Sequence, residues 1–177
     1  MTKQETQKTV KYHFSIRLLH WLIGILIIVT FIGISIGNLM KDLNPSLNPL
    51  NQSLGILIGA LVFLRILNRI GKKSPTLPNT ISNFDQILAK LGILGLYFCM
   101  ILVPVSGILM SMYSGDTIKF FGITLPMIVE KNPEIAAIMD MTHALLSKIF
   151  ALLIAGHILF TIKHILVDKV NVLKRII

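Results

Sequence analysis

The sequence predicts an all-α fold: an integral membrane four-helix bundle with both termini cytoplasmic. Three observations carry this. Of 177 residues, 54% are hydrophobic and 14% charged, and mean hydropathy is +0.77. A soluble domain averages about 45–50% apolar and about 25% charged. Four stretches have the length and composition to cross a hydrocarbon core, which takes roughly 20 apolar residues. The 17 lysines and arginines also alternate strongly between connections. This composition excludes disorder and argues against a water-facing globule. The single cysteine, Cys99, excludes an internal disulfide, a thiolate zinc cluster, an iron–sulfur site and a CxxCH attachment.

The first span covers about 16–37 (IRLLHWLIGILIIVTFIGISIG). It is longer than a signal-peptide core and no small-x-small site follows it closely, so it reads as a permanent helix. The second covers about 53–70 (SLGILIGALVFLRILNRI), with Arg65 and Arg69 at its far end. The third covers about 91–113 and holds Pro104, where a kink is expected. The fourth covers about 142–167 (THALLSKIFALLIAGHILFTIKHILV). Residues 38–52 form a proline-broken outer loop, with Asn51 and Gln52 read as a cap for the second helix. Residues 71–90 form an inner loop with a turn-rich SPTLP piece, expected to run along the surface. Residues 114–141 form the longest outer segment, in which Asn132 and Pro133 predict the start of a short surface helix. No repeat appears, and residues 1–177 read as one domain.

Orientation follows from lysine and arginine placement. Twelve lie at the termini, in the second connection or on its flanks: Lys3, Lys8, Lys11, Arg17, Arg69, Lys72, Lys73, Lys90, Lys163, Lys169, Lys174 and Arg175. Three, Lys41, Lys119 and Lys131, lie in the other two connections, which also hold five of the eight acids. Twelve against three places both termini in the cytoplasm. Topology also accounts for the high pI, and no nucleic-acid-binding motif is present.

Four of the five histidines, His20, His143, His157 and His164, fall in or beside the first and fourth spans, and His13 precedes the first. Ionisable groups in membrane helices are costly and usually face the bundle interior. His143 and His157, fourteen apart, project within about 40° of each other and stand about 21 Å apart along a helix axis. His164 follows on nearly the same stripe. His20 enters at a depth the inner half of the fourth span can reach. Two imidazoles facing each other across a bundle suit axial ligation of a b-type haem. A zinc site would need three or four close ligands. A proton pathway and plain polar packing are the competing readings of the same spacing.

The residues RLLHW (17–21), the SLG opening and basic end of the second span, PVSGILMS (104–111), FFGITLP (120–126), His143 and GHILFTIKH (156–164) occur in this order along almost the whole chain. In that arrangement the sequence resembles the bacterial cytochrome b561 family, four-helix membrane proteins with two haems b. The resemblance implies that His20 and His157 are axial ligands of the cytoplasmic-side haem. It implies His143 as ligand of an outer haem, partnered by a histidine at the outer start of the second helix. That partner is missing, because Asn51 stands at its position and no histidine occurs between His20 and His143. An asparagine amide is a poor iron ligand. Three outcomes follow: the outer haem is absent, it is five-coordinate on His143, or another side chain such as Met40 substitutes. One haem b is therefore expected, with the second in doubt.

Arg17, Arg65, Arg69 and Lys163 are candidate partners for haem propionates, and positive-inside anchoring explains them equally well. Trp21 is a candidate to pack on the macrocycle or to sit at the interface. His164 reads as a propionate contact or an interface side chain, with His20–His164 the alternative ligand pair. Cys99 reads as a small packing residue, and His13 as solvated. The resemblance implies electron carriage in the bacterial inner membrane between a donor and quinone, with superoxide oxidation known for some members. The partners so implied are quinone, membrane lipid, a redox protein and a second copy of the chain. A membrane-anchor subunit of a dehydrogenase or hydrogenase is the alternative, as is a haem-deficient structural protein.

Overall fold

A computed structural model describes residues 11–39, 47–72 and 81–177. Four long helices dominate: α1 (Phe14–Leu39), α2 (Leu47–Arg69), α3 (Asn83–Ser114) and α4 (Pro133–Leu166). A hairpin, β1 (Lys119–Phe120) and β2 (Ile123–Thr124), lies between α3 and α4, and a 3₁₀ turn at Val172–Arg175 follows α4. All four helices are long and apolar enough to span a membrane. Met40 and the SPTLP piece lie outside the described residues.

Three helices begin well before the spans that hydropathy marks, and each for a local reason. α2 starts at Leu47 and takes Pro49 into its first turn. The first N–H groups of a helix have no intrahelical partner, so a proline there removes nothing. Asn51 and Gln52 consequently lie inside α2 and do not cap it. α3 starts at Asn83 because Ser82 caps it: the Asp85 N–H donates to Ser82 Oγ at 3.1 Å and Ser82 Oγ donates to Asp85 Oδ2 at 2.9 Å. Asp85 stands at the N3 position of a capping box, but its carboxylate takes the Ser82 hydroxyl and not the Ser82 N–H. α4 starts at Pro133, where Asn132 Oδ1 accepts from the N–H groups of Glu134 and Ile135, both at 3.1 Å. The expected short surface helix is absent as a separate element. Residues 136–142 contain no glycine or proline, so the helix runs from that cap directly into the span. At 34 residues α4 is about 51 Å long, against a hydrocarbon core of about 30 Å. α3 runs unbroken through Pro104 and stops at Gly115, whose φ of 80° only glycine adopts cheaply.

α1 packs on α2, α2 on α3, and α3 most extensively on α4. The buried centre holds Ile23 and Ile27 from α1, Ile58 and Val62 from α2, Cys99 and Met100 from α3, and Phe150 from α4. Cys99 is thus the packing residue its sequence context suggests. Outward-facing side chains such as Phe63, Leu94, Leu152 and Leu159 are exposed. With lipid tails as solvent, such surface carries no penalty, and the helices associate through packing and hydrogen bonds.

The two ends of the bundle are tied differently. At the end away from residues 11–13 and 171–177, Phe121 (φ 46°) and Gly122 (φ 90°) make the two-residue turn of the hairpin. The hairpin docks on α2 through Ser53, whose Oγ donates to the Lys119 carbonyl at 3.1 Å and accepts from the Phe121 N–H at 2.9 Å. Gln52 reaches Ser111 Oγ at 3.3 Å and accepts from the Lys119 N–H at 3.3 Å. At the opposite end both termini meet: the Tyr12 N–H donates to the Arg175 carbonyl at 2.9 Å. There Ser15 and Asn68 join α1 to α2, and Lys163 bridges Asp85 at 2.6 Å and Asp168 at 3.1 Å.

Candidate functional site

A closed four-helix bundle has four neighbouring pairs, and this one forms three. Among the described residues no Cα of α1 comes within 8 Å of a Cα of α4. Packed helices stand about 8–10 Å apart axis to axis, which brings some Cα atoms closer than that. The α1–α4 seam is therefore the wide one. Phe31 and Phe150 bridge it mid-bundle, with ring centroids 6.0 Å apart.

His20 and His157 face each other across this seam, with centroids 6.4 Å apart and ring planes at 70°. Both are partly exposed to the seam and lie near the end where the termini meet. An imidazole nitrogen binds a transition metal at about 2.0 Å and sits about 1.1 Å from its ring centroid, so two rings on opposite sides of one metal stand about 6.2 Å apart. The observed spacing fits a single iron. Gly24, one turn beyond His20 on the same face, and Gly156, beside His157, both look onto open space: a Cβ at either would meet no atom within 4 Å. A flat macrocycle against backbone needs such places. Among the described residues no three His, Cys, Asp or Glu side chains converge on one point. Two imidazole rings facing across the seam are what this site offers.

Arg65 of α2 reaches the seam from the side. Its Nη1 lies 3.1 Å from His20 Nδ1 and its Nε donates to Tyr97 Oη at 3.0 Å. A guanidinium has donors only, so His20 Nδ1 is the acceptor in this contact. A neutral His20 then carries its proton on Nε2.

His143 sits elsewhere, on α4 against α3. Its Nδ1 is 3.0 Å from the Val103 carbonyl and 3.2 Å from Ser106 Oγ. Donation from Nδ1 to a carbonyl leaves Nε2 with its lone pair, the arrangement usual for metal-ligating histidines. Gly107 permits this packing: a Cβ there would lie 3.0 Å from His143 Cε1. Asn51, where the resemblance calls for a partner, is a half-buried residue on α2.

Other candidates have different neighbours. Trp21 packs edge-on to His20 at 5.6 Å, and its indole N–H donates to the Ile176 carbonyl at 3.1 Å. Arg17 donates to the Ile177 carbonyl. Both side chains thus hold the tail that follows the 3₁₀ turn, a segment sequence reasoning left unassigned. Asn171 was its available signal, since the side chain accepts from the Lys174 N–H at 3.1 Å and starts that turn. His164 is buried, not at an interface. Its Nδ1 lies 2.5 Å from Asp168 Oδ2 and its ring meets Phe160 at 4.5 Å. It therefore faces away from the ligand role that an alternative His20–His164 pairing required, and His20 meets His157 instead. Hydrogen bonds from His164 and then Lys163 hold the Asp168 carboxyl below the usual carboxylate range. His13 is exposed and bonded to Ser15 Oγ at 2.8 Å at the start of α1.

A four-span bundle with opposed imidazoles across one open seam is the architecture of a membrane b-type cytochrome. The family model for prokaryotic cytochrome b561 matches residues 11–177, and the chain belongs to that family. It is 28% identical over 158 residues to a probable superoxide oxidase CybB of Yersinia pestis, covering 89% of this chain and 90% of the relative. It is also 28% identical over 121 residues to cytochrome b561 homolog 1 of Escherichia coli (strain K12), covering 68% and 69% respectively. Membership makes it a multi-pass electron-transport protein of the b-haem class.

Proposed function

We propose that the chain is a haem b cytochrome of the bacterial inner membrane, with both termini cytoplasmic, that passes electrons between a donor and quinone in the bilayer. His20 and His157 are the residues that would hold the haem iron. The observation that carries this is the 6.4 Å separation of their rings across the one helix pair that backbone packing leaves open. The twelve-to-three distribution of basic residues supports the orientation.

When bound, haem supplies one-electron iron chemistry, and the protein supplies position and surroundings. His20 and His157 present nitrogens from opposite sides. Ile23, Ile27 and Phe150 keep water from the adjoining core. Ligation through His20 Nε2 needs the proton on Nδ1, which the Arg65 contact forbids. A His20 holding iron through Nε2 would carry its proton on Nδ1, and the Arg65 guanidinium would then suit a haem propionate instead. Trp21 borders the same imidazole, and Arg17 adds positive charge at that end.

His143 has the tautomer of a ligand but no histidine opposite, so we infer one haem per chain. Superoxide as donor is a second reading, supported by the name of the Yersinia pestis relative. The outer segments carry three lysines and five acids, a weak field for drawing in an anion. Haem per polypeptide, measured as the pyridine haemochrome, tests the reading. A ratio near one is expected. A ratio near two would show that Asn51 has been bypassed, and a colourless protein would end the proposal.

A further inference from the structure

On the flank of the bundle opposite the α1–α4 seam, α2 and α3 border a shallow, open recess of about 290 Å³ lined by Arg69, Lys90, Ile93, Leu94 and Tyr97. Four of the five belong to one stripe of α3, at positions i, i+3, i+4 and i+7 from Lys90. Arg69 is the last residue of α2, so the recess lies at the end of the bundle where the termini meet. Its volume is at the small end of the range for ligand sites, about 300–1,000 Å³, which suits a headgroup better than a large cofactor.

Its chemistry is one-sided. Lys90 forms no ion pair among the described residues. Tyr97 Oη accepts from Arg65 Nε at 3.0 Å and from Arg69 Nη1 at 3.4 Å. Both guanidinium groups also lie over its ring, at 5.6 and 5.9 Å. With those bonds accepted, the Tyr97 hydroxyl proton is left to donate, and no acceptor among the described residues takes it. Lys90 therefore offers positive charge and Tyr97 a proton, a combination that favours an anion over a neutral carbonyl ligand. Leu94 is 66% exposed and Ile93 37%, so the wall beside the cations is apolar and faces hydrocarbon.

We propose that this recess binds the phosphate of an anionic phospholipid, with Lys90, Arg69 and the Tyr97 hydroxyl on the headgroup and Ile93 and Leu94 along the acyl chain. The site occupies the leaflet on the side of the termini. It is separate from the imidazole pair but touches it mechanically, since Tyr97 also holds Arg65.

The full chain, purified with its haem and stripped of lipid in a zwitterionic detergent, provides the test. Short-chain phosphatidylglycerol, phosphatidylcholine and inorganic phosphate are added separately and bound adducts counted by native mass spectrometry. Phosphatidylglycerol should bind in preference to phosphatidylcholine. Lys90→Gln should weaken it about fivefold, the worth of one lysine near an anionic surface. Tyr97→Phe should weaken it as well, while Lys174→Gln should not. Equal binding of the two lipids, or no effect of Lys90→Gln, would overturn the site. Phosphate binding as tightly as phosphatidylglycerol would overturn the lipid assignment. Loss of the haem spectrum in Lys90→Gln would assign the recess to the cofactor instead.

Discussion

Replacing His157 by alanine removes one of the two imidazoles of the proposed haem seat, whose ring spacing departs by only a few tenths of an ångström from the roughly 6.2 Å that one shared metal demands. So close a fit means the second nitrogen binds with little distortion, and the gain of a tethered second ligand over a single one is about 10²–10⁴ in affinity. Haem affinity of His157→Ala should fall by about that factor, measured by titrating haem into the protein and following the Soret band. The residual complex should be five-coordinate and high-spin on His20 alone. Imidazole added to the solution should enter the vacated place and restore the low-spin spectrum without restoring affinity. His164→Ala should keep a low-spin spectrum, because that ring is engaged with Asp168 and Phe160. Unchanged affinity with a low-spin spectrum in His157→Ala would refute the pairing. So would loss of low-spin character in His164→Ala with the fold intact by circular dichroism.

Two further outcomes follow from contacts away from this pair. Gly107→Ala places a methyl 3.0 Å from His143 Cε1, where ordinary carbon contacts are about 3.5–4.0 Å, so the ring must shift by a few tenths of an ångström and strain its 3.0 Å bond to the Val103 carbonyl. Overpacking and the weakened bond should cost about 1–3 kcal/mol, read as a lowered unfolding temperature, and the penalty should shrink in a His143→Ala background. Asp168→Asn addresses pH: the folded carboxyl titrates below its ordinary 3.8, so its contribution is present above that value and lost as pH falls through the lower folded one. Wild type should therefore out-melt Asp168→Asn at neutral pH and lose that advantage in acid. A constant gap at all pH values would show that the carboxylate charge is not involved.

Four spans were legible, and the two histidines of the proposed seat stood out as candidates, because both rest on strong, local signals. Twenty apolar residues have few fates, and histidine within them is expensive. The helix ends were less visible because hydropathy ignores capping. Ser82 with Asp85, and Asn132 with Pro133, start α3 and α4 a full eight or nine residues early, in segments too polar to register as membrane. The first of these caps was overlooked, and the second was read as a separate piece. The hairpin went unassigned although Gly122 precedes the β-branched pair Ile123–Thr124, a short signal easily lost in an apolar chain. The partners of Arg17 and Trp21 were out of reach altogether. They are backbone carbonyls some 155 or more residues away, and a main-chain acceptor leaves no mark on composition.

The opposed histidines belong to the first and last membrane helices, 137 positions apart in the chain. A seat built that way has a fixed birth date. On the proposed pairing, the second imidazole reaches the seat only once the final helix has been delivered beside the opening one. The unclosed flank between those two helices would then be the side from which the proposed guest reaches the seat.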